Sequence, residues 1–266
     1  MNYDYTVDDL KHSLEKIPFG EGDIIYCHSA IGYFGRMLNC NRAYKLCEIF
    51  FDSIMNIIGS SGTLIVPSYT YSFPKGFDFD PENDETEMGL FSEWVRFHPD
   101  SVRSIDPSYS VSVIGNNSTY FTQNCPENSF GEGSVFDKFY RMGGKIMCFN
   151  FPGCTFIHYV ERELKVEYRY DKTFHGFIVN QNNKIPARSI IYVRYLSDDS
   201  LEDSPRNFEK LARGKKYQQY TKLGRGEISL INSRDAYNLI QSTLTKRPYF
   251  LTKVEELGIE KPNIHL

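Results

Sequence analysis

The strongest constraint on this chain is a strand, helix, strand succession near its amino terminus. Asp23-Ile24-Ile25-Tyr26-Cys27 reads as a short buried strand. Ala43, Leu46, Cys47, Phe50, Ile54 and Ile57 then recur at helical spacing up to Gly59, and Thr63 to Val66 forms a second strand. Strands joined by a helical crossover pair in parallel, and parallel sheets carry their sites at the carboxyl ends of strands. Here those ends are His28-Ser29-Ala30 and Pro67-Ser68-Tyr69.

Beyond this unit, apolar blocks alternate with turn signals, and no repeat, low-complexity tract or Gly/Ser linker divides the chain. Thr6-Val7-Asp8-Asp9 predicts a capping box that opens a helix through Val7, Leu10, Leu14 and Ile17. A short helix is expected over Leu90–Phe97, strands over Val111–Ile114 and Lys145–Phe149, and a helix from Thr155 towards Glu167. A hairpin-like pair follows over Gly176–Leu196, then a helix opened by Ser204-Pro205, and a last strand and helix over Glu227–Ile231 and Arg234–Lys246. The fold class expected is α/β: a single compact domain over residues 1–266, with a mixed, largely parallel central sheet flanked by helices and long irregular loops. The longest loop, Tyr71–Gly89, carries six acids (Asp78, Asp80, Glu82, Asp84, Glu85 and Glu87), and loops of that length are functional or disordered.

Charge and cysteine usage narrow the partners. Thirty basic residues against thirty-four acidic leave a net charge of -4, without the cationic excess that phosphate backbones demand, so no nucleic acid is expected. No apolar run reaches the ~18 residues of a membrane helix, and Met1 to Lys16 is polar and mixed in charge, so a cytoplasmic protein with no membrane partner is expected. Six cysteines without a C-x-x-C pair, with Cys27, Cys47 and Cys148 inside apolar stretches, read as buried reduced thiols. The N-x-S/T triplets at Asn116 and Asn117 would then be silent. The sequence sets no oligomeric state; a homo-oligomer is compatible with it.

Three Gly-x-Gly pairs, at Gly20, Gly131 and Gly224, lack the third glycine or the lysine of a nucleotide loop, and no H-E-x-x-H appears, so no metal is expected. The sharper pattern is Thr155-x-x-His158-x-x-Glu161, which stacks hydroxyl, imidazole and carboxylate along one side of a helix start, beside a core-facing stripe of Ile157, Val160 and Leu164. A carboxylate one turn away orients a basic ring and favours its protonated form, while a helix amino terminus disfavours it. On spacing alone, a solvated helix face explains the same pattern.

Around that trio an ordered set of segments is similar to the aminoglycoside 3-N-acetyltransferase family. The segments are His28-Ser29-Ala30-Ile31-Gly32, Gly62 to Thr70, Phe79-Asp80-Pro81 with Met88-Gly89, Arg103 to Val111, Phe130 to Ser134, and the Thr155, His158, Glu161 triplet. Tyr192-Val193-Arg194 and Gly224-Arg225-Gly226 extend the resemblance weakly towards the carboxyl end. The resemblance implies acyl-CoA, acetyl or longer, as co-substrate and a primary amine on an amino sugar as acceptor. It implies His158 as general base, Glu161 supporting it and Thr155 close by. His28, Ser29, Ala30, Ile31 and Gly32 are expected along the pantetheine arm, Arg103 and Ser104 near coenzyme A phosphates, and Tyr69, Asp80 and Asp106 on the acceptor. Many members carry a histidine where this chain has Asp106. That departure, with the basic stretch Arg206 to Arg225, favours a nucleotide-linked amino-deoxysugar for surface polysaccharide. An aminoglycoside, drawn to the acidic loop, is the alternative, and a catalytically silent binder of coenzyme A or sugar is a third. A covalent acyl-cysteine route through Cys27 or Cys154 is the rival mechanism.

Overall fold

The computed structural model describes residues 3–181, 183–260 and 262–265. Met1 and Asn2, at the head of the polar amino-terminal stretch, lie outside the described residues, as do Asn182, Lys261 and Leu266. In chain order the first elements are α1 (Val7–Glu15), β1 (Ile24–Ser29), α2 (Ala43–Ile58), β2 (Thr63–Pro67), α3 (Leu90–Arg96), β3 (Val102–Arg103), β4 (Val111–Gly115), α4 (Ser118–Thr122) and α5 (Val135–Arg141). There follow β5 (Lys145–Phe149), α6 (Phe156–Glu163), β6 (Arg169–Asn180), β7 (Asn183–Arg194), α7 (Pro205–Gly214), β8 (Gln219–Leu223), β9 (Gly226–Asn232), α8 (Ser233–Leu244) and α9 (Lys253–Leu257).

Local chemistry accounts for the first elements. The Thr6 hydroxyl accepts from the Asp9 amide at 3.0 Å and the Asp9 carboxylate from the Thr6 amide at 2.8 Å, closing the reciprocal box that starts α1. Helix α2 buries Cys47, Phe50, Ile54 and Ile58 on one stripe and stops at Gly59, whose φ of 64° is open to glycine at little cost.

The main sheet has the order β3-β4-β2-β1-β5-β9-β8. Central β1 runs parallel to β2 and β5, placing Tyr26 beside Ile65 and Ile146. β4 and β9 flank these three antiparallel, and β3 and β8 pair antiparallel outside them. The sheet is therefore mixed, as expected, but its parallel part is confined to the centre. Short strands buried on both faces read as plain apolar runs in either direction, so the pattern does not encode orientation.

The period of two along each strand sorts the core into two layers. Tyr26, Ile65, Val113 and Ile146 face one cluster with Phe136 and Phe139 of α5, Val160 of α6 and Ile240 of α8. Ile25, Cys27, Leu64, Val66 and Met147 face the other, with Leu10 and Leu14 of α1 and Phe50 and Ile54 of α2. All six cysteines are unpaired, and Cys27, Cys47 and Cys148 are buried. Among the described residues no helix is long and apolar enough to cross a membrane.

A separate ribbon of β6 and β7, longer than the hairpin expected, pairs Arg169 with Arg194 and Asn180 with Asn183. Its outer half mixes charge with aromatics, which hides the alternation. Phe79 and Asn128 bridge its two edges to the body at Ile178 and Ile190. The carboxyl ends of β1, β2 and β5 open on the side from which Asn150–Thr155 leads into α6.

Candidate active site

Helix α6 starts where the chain leaves β5, and its start is held by side chains from the other two central strands. The turn before it needs a glycine: Gly153 has φ 86°, and a Cβ there would lie 2.5 Å from Pro205 Cβ at the head of α7. Thr155 occupies the position expected of a cap, but it is itself helical and makes no capping bond. Its hydroxyl instead bonds to that of Tyr69, which lies 2.6 Å from the Tyr26 hydroxyl. The Thr155 amide donates to His28 Nε2 at 3.3 Å.

Burial depresses the pKa of that histidine from 6.5 to about 4. An unfolded histidine takes up a proton near 6.5, so across this window the folded chain binds fewer protons and loses stability as pH falls. The loss is on the order of 3 kcal/mol once pH lies below the folded value. A proton NMR titration of the His28 ring is expected to give a midpoint near 4; a midpoint near 6.5 would contradict this.

His158 projects from α6 one turn after Thr155, and its side chain is 20% exposed while that of Glu161 is fully buried. His158 Nδ1 lies 2.7 Å from Glu161 Oε2. The same carboxylate forms an ion pair with Arg169, whose Nε lies 2.9 Å away but is not aligned to hydrogen-bond to it, and its other oxygen accepts from the Tyr168 hydroxyl at 2.7 Å. A carboxylate so placed accepts only, which assigns the ring proton to Nδ1 and leaves a lone pair on Nε2. Burial alone would lower the Arg169 pKa; Glu161 and Asp203 on either side reverse this and keep the guanidinium charged.

Arg169 also pairs with Asp203, whose Oδ2 lies 3.8 Å from His158 Nε2. Burial pushes the Asp203 carboxyl up, but His158 and Arg169 outweigh it and hold the pKa below its ordinary value. His158, Glu161 and Asp203 bring their ligand atoms within 4.8 Å of one another. The Arg169 cation, bound to both carboxylates, already supplies their counter-charge. Phe130 meets the imidazole edge-on, with centroids 5.8 Å apart.

A cleft of about 210 Å³ opens over this cluster. Phe151, Pro152, Ile157, Pro205 and Leu251 make its apolar wall and Thr155, His158 and Asp203 its polar side; no lysine or arginine lines it among the described residues. Cys154 also reaches the cleft, but burial pushes its thiol up to about 12 and raises that of Cys27 as well, the opposite of what a nucleophilic thiolate requires.

The structure thus brings Thr155, His158 and Glu161 together, with His28 and Tyr69 one layer behind. His28 stacks on Phe151 with centroids 5.3 Å apart. Ile31 is core, Ser29 and Ala30 are half-buried and Gly32 is exposed; none of His28 to Gly32 lines the cleft. Arg103 lies elsewhere and is already engaged: its guanidinium donates to the carbonyls of Pro81, Asp84 and Ser68 and to the Ser110 hydroxyl. Burial lowers its pKa to about 10. Fully buried Ser104 accepts from the Val111 amide. This pair fastens the acidic loop to β4.

Asp106 is likewise buried. It accepts from the Ser108 and Tyr109 amides at 2.9 Å each, while burial raises its pKa. Asp80 closes a turn by accepting from the Glu82 and Asn83 amides at 3.0 Å. Both carboxylates organise loops. Arg169, Tyr168 and Asp203 have no sequence motif. The one local cue is that Asp203 immediately precedes the Ser204-Pro205 helix start, where the chain turns back to the sheet.

The profile of the aminoglycoside 3-N-acetyltransferase family matches residues 27–245. No curated protein sequence matches the chain. Among solved structures, AAC-IIIb in binary complex with CoASH is similar at 19% identity and TM-score 0.76, covering 91% of this chain and 97% of that one. Aminoglycoside acetyltransferase AAC(3)-Xa is similar at 18% identity and TM-score 0.78, covering 90% and 92%. The YokD protein from Bacillus subtilis is similar at 16% identity and TM-score 0.73, covering 91% and 94%. With most of its length inside the family profile and its sheet and helices in the same arrangement, this chain belongs to the aminoglycoside 3-N-acetyltransferase family, whose members transfer an acetyl group from acetyl-CoA to an amine.

Proposed function

We propose that the chain N-acetylates a cationic amino sugar of the aminoglycoside type, with His158 as the proton acceptor. The observation that carries this reading is the pair of acceptors facing each other over the cleft: His158 Nε2 and the Asp203 carboxylate, 3.8 Å apart. That separation is too long for a hydrogen bond between them and suits a nitrogen bearing protons lodged against both. Glu161, held by Arg169 and Tyr168, keeps the ring turned so that Nε2 faces the cleft.

In the reaction, the acceptor ammonium gives a proton to His158 Nε2. The freed amine attacks the thioester carbonyl and a C–N bond forms as the C–S bond breaks; the imidazolium returns its proton to the departing thiolate, and the second N–H proton of the cationic adduct passes to solvent, leaving neutral amide, free thiol and one released proton. Positioning supplies the larger part of the acceleration. The apolar wall of Phe151, Pro152 and Leu251 suits the uncharged acyl and thioester end of acetyl-CoA.

The nucleotide-linked amino sugar, favoured on sequence, needs cations for its diphosphate. Of the basic stretch, Arg213 is paired with Glu209 and Glu227, Lys222 with Glu227 and Arg225 with Asp4. Arg103 is occupied as described. No lysine or arginine among the described residues lines the cleft beside His158 and Asp203, which supports the aminoglycoside-type acceptor instead. Thiol release from acetyl-CoA, assayed with kanamycin-type amines beside dTDP- and UDP-linked amino sugars, is expected to respond to the first group. Release with the nucleotide sugars alone would overturn the acceptor assignment, and tight binding without release would leave a silent binder.

A further inference from the structure

As the amine attacks, negative charge gathers on the thioester carbonyl oxygen, and a fixed donor aimed at that oxygen lowers the barrier directly. No lysine or arginine lines the cleft among the described residues, so a neutral donor is needed. Of the polar side chains that line it, Asp203 only accepts, His158 holds its proton on Nδ1 towards Glu161, and the Ser204 hydroxyl donates to Glu256. The Cys154 thiol is a weak donor. Three amides at the start of α6 are spent as well: that of Thr155 on His28 Nε2, that of Ile157 on the Cys154 carbonyl and that of His158 on the Thr155 carbonyl. The Thr155 hydroxyl remains.

Its direction is set from behind. Thr155, Tyr69 and Tyr26 form a chain of three hydroxyls, the Thr155 oxygen bonded to that of Tyr69 and the Tyr69 oxygen 2.6 Å from that of Tyr26. Three protons serve two bonds, so one end of the chain keeps a proton to give elsewhere. Burial raises the pKa of both phenols, so neither loses its proton. Tyr26 is buried with the rings of His28, Phe136 and Phe139 around it, and its hydroxyl has no partner but Tyr69 among the described residues. A spare proton at that end would be a buried donor left unmet, which native cores avoid. The protons therefore run from Tyr26 to Tyr69 and from Tyr69 to Thr155, and the Thr155 proton is left for the cleft.

We infer that the Thr155 hydroxyl donates to the thioester oxygen as its charge develops, with Tyr69 and Tyr26 as the positioning residues that fix its direction. The inference rests on the acetyl-transfer reading above and supplies the contact to the oxyanion that the reading leaves open. No proton changes hands at Thr155. The hydrogen bond tightens as the C–N bond forms and slackens when the C–S bond breaks and the carbonyl returns. One helix turn then serves both halves of the step, Thr155 at the carbonyl oxygen and His158 at the amine.

Thr155→Val keeps the branched shape and removes the proton. It is expected to lose about 10²–10³-fold in kcat, with KM unchanged for acetyl-CoA and amine alike, because the contact is made only in the transition state. Thr155→Ser, which restores the hydroxyl, is expected to recover most of that loss. The acid limb of the pH profile, set by His158, is expected to stay in place in both. Tyr69→Phe keeps the ring but frees the Thr155 hydroxyl to turn, so a smaller loss in kcat at unchanged KM is expected. Wild-type kcat in Thr155→Val, or a loss that Thr155→Ser does not recover, would overturn the assignment to Thr155; wild-type kcat in Tyr69→Phe would overturn the orienting chain. Failure of the underlying reading would show differently, as wild-type protein that releases no thiol with any amine, and would take this assignment with it.

Discussion

His158→Ala is expected to lose about 10²–10⁴-fold in kcat, the range that a positioned acid-base group supplies, with the fold unchanged. The fold should tolerate it because the imidazole is part-exposed and its removal leaves Glu161 still bound to Arg169 and Tyr168. No buried charge is orphaned. Acetyl-CoA affinity should hold, since the apolar side of the cleft is untouched. Stopped thiol-release kinetics beside a melting curve separate the two effects: low kcat with a wild-type melting temperature is the expected combination.

Glu161 produces a larger and different effect. Its carboxylate has no exposure and meets three partners, His158, Arg169 and Tyr168. Glu161→Ala leaves the buried Arg169 with Asp203 as its one carboxylate beside the Tyr192 carbonyl, and breaking a buried pair in this way costs about 3–5 kcal/mol. The variant is expected to unfold at markedly lower denaturant and to be inactive. Glu161→Gln preserves the shape and tests the chemistry. The guanidinium beside Oε2 draws the amide oxygen to that place, so it still accepts from Nδ1, while the amide nitrogen turns to the Tyr168 hydroxyl. The ring keeps its tautomer but loses the negative charge that stabilises its protonated form, and the expected kcat loss is smaller than the ~10²–10⁴-fold of His158→Ala. Wild-type turnover by a folded Glu161→Gln would mean that this charge does not assist the proton transfer.

What the sequence made legible is what short-range pattern encodes. The box at Thr6 and Asp9, the stripe of α2 and the strands β1, β2 and β5 follow from spacings within one element, and the structure has them within a few residues. His158 and Glu161 were legible for the same reason, lying one turn apart on one helix. Asp203 and Arg169 were not, because only the tertiary fold sets them against that helix. The partners of Arg103, the carbonyls of Ser68, Pro81 and Asp84, were not legible, because they belong to loops whose path no local pattern reveals. The orientation of β4 and β9 was hidden by burial on both faces.

The central claim is that one nitrogen, His158 Nε2, takes the proton of the attacking amine. Imidazole rescue tests it most directly: acetylation of a saturating amine by His158→Ala, measured with and without added imidazole. The account predicts a slow variant whose rate climbs with free imidazole, whereas Glu161→Ala, destabilised in its core, gains nothing. A His158→Ala enzyme that acetylates the amine at the wild-type rate without imidazole would contradict it.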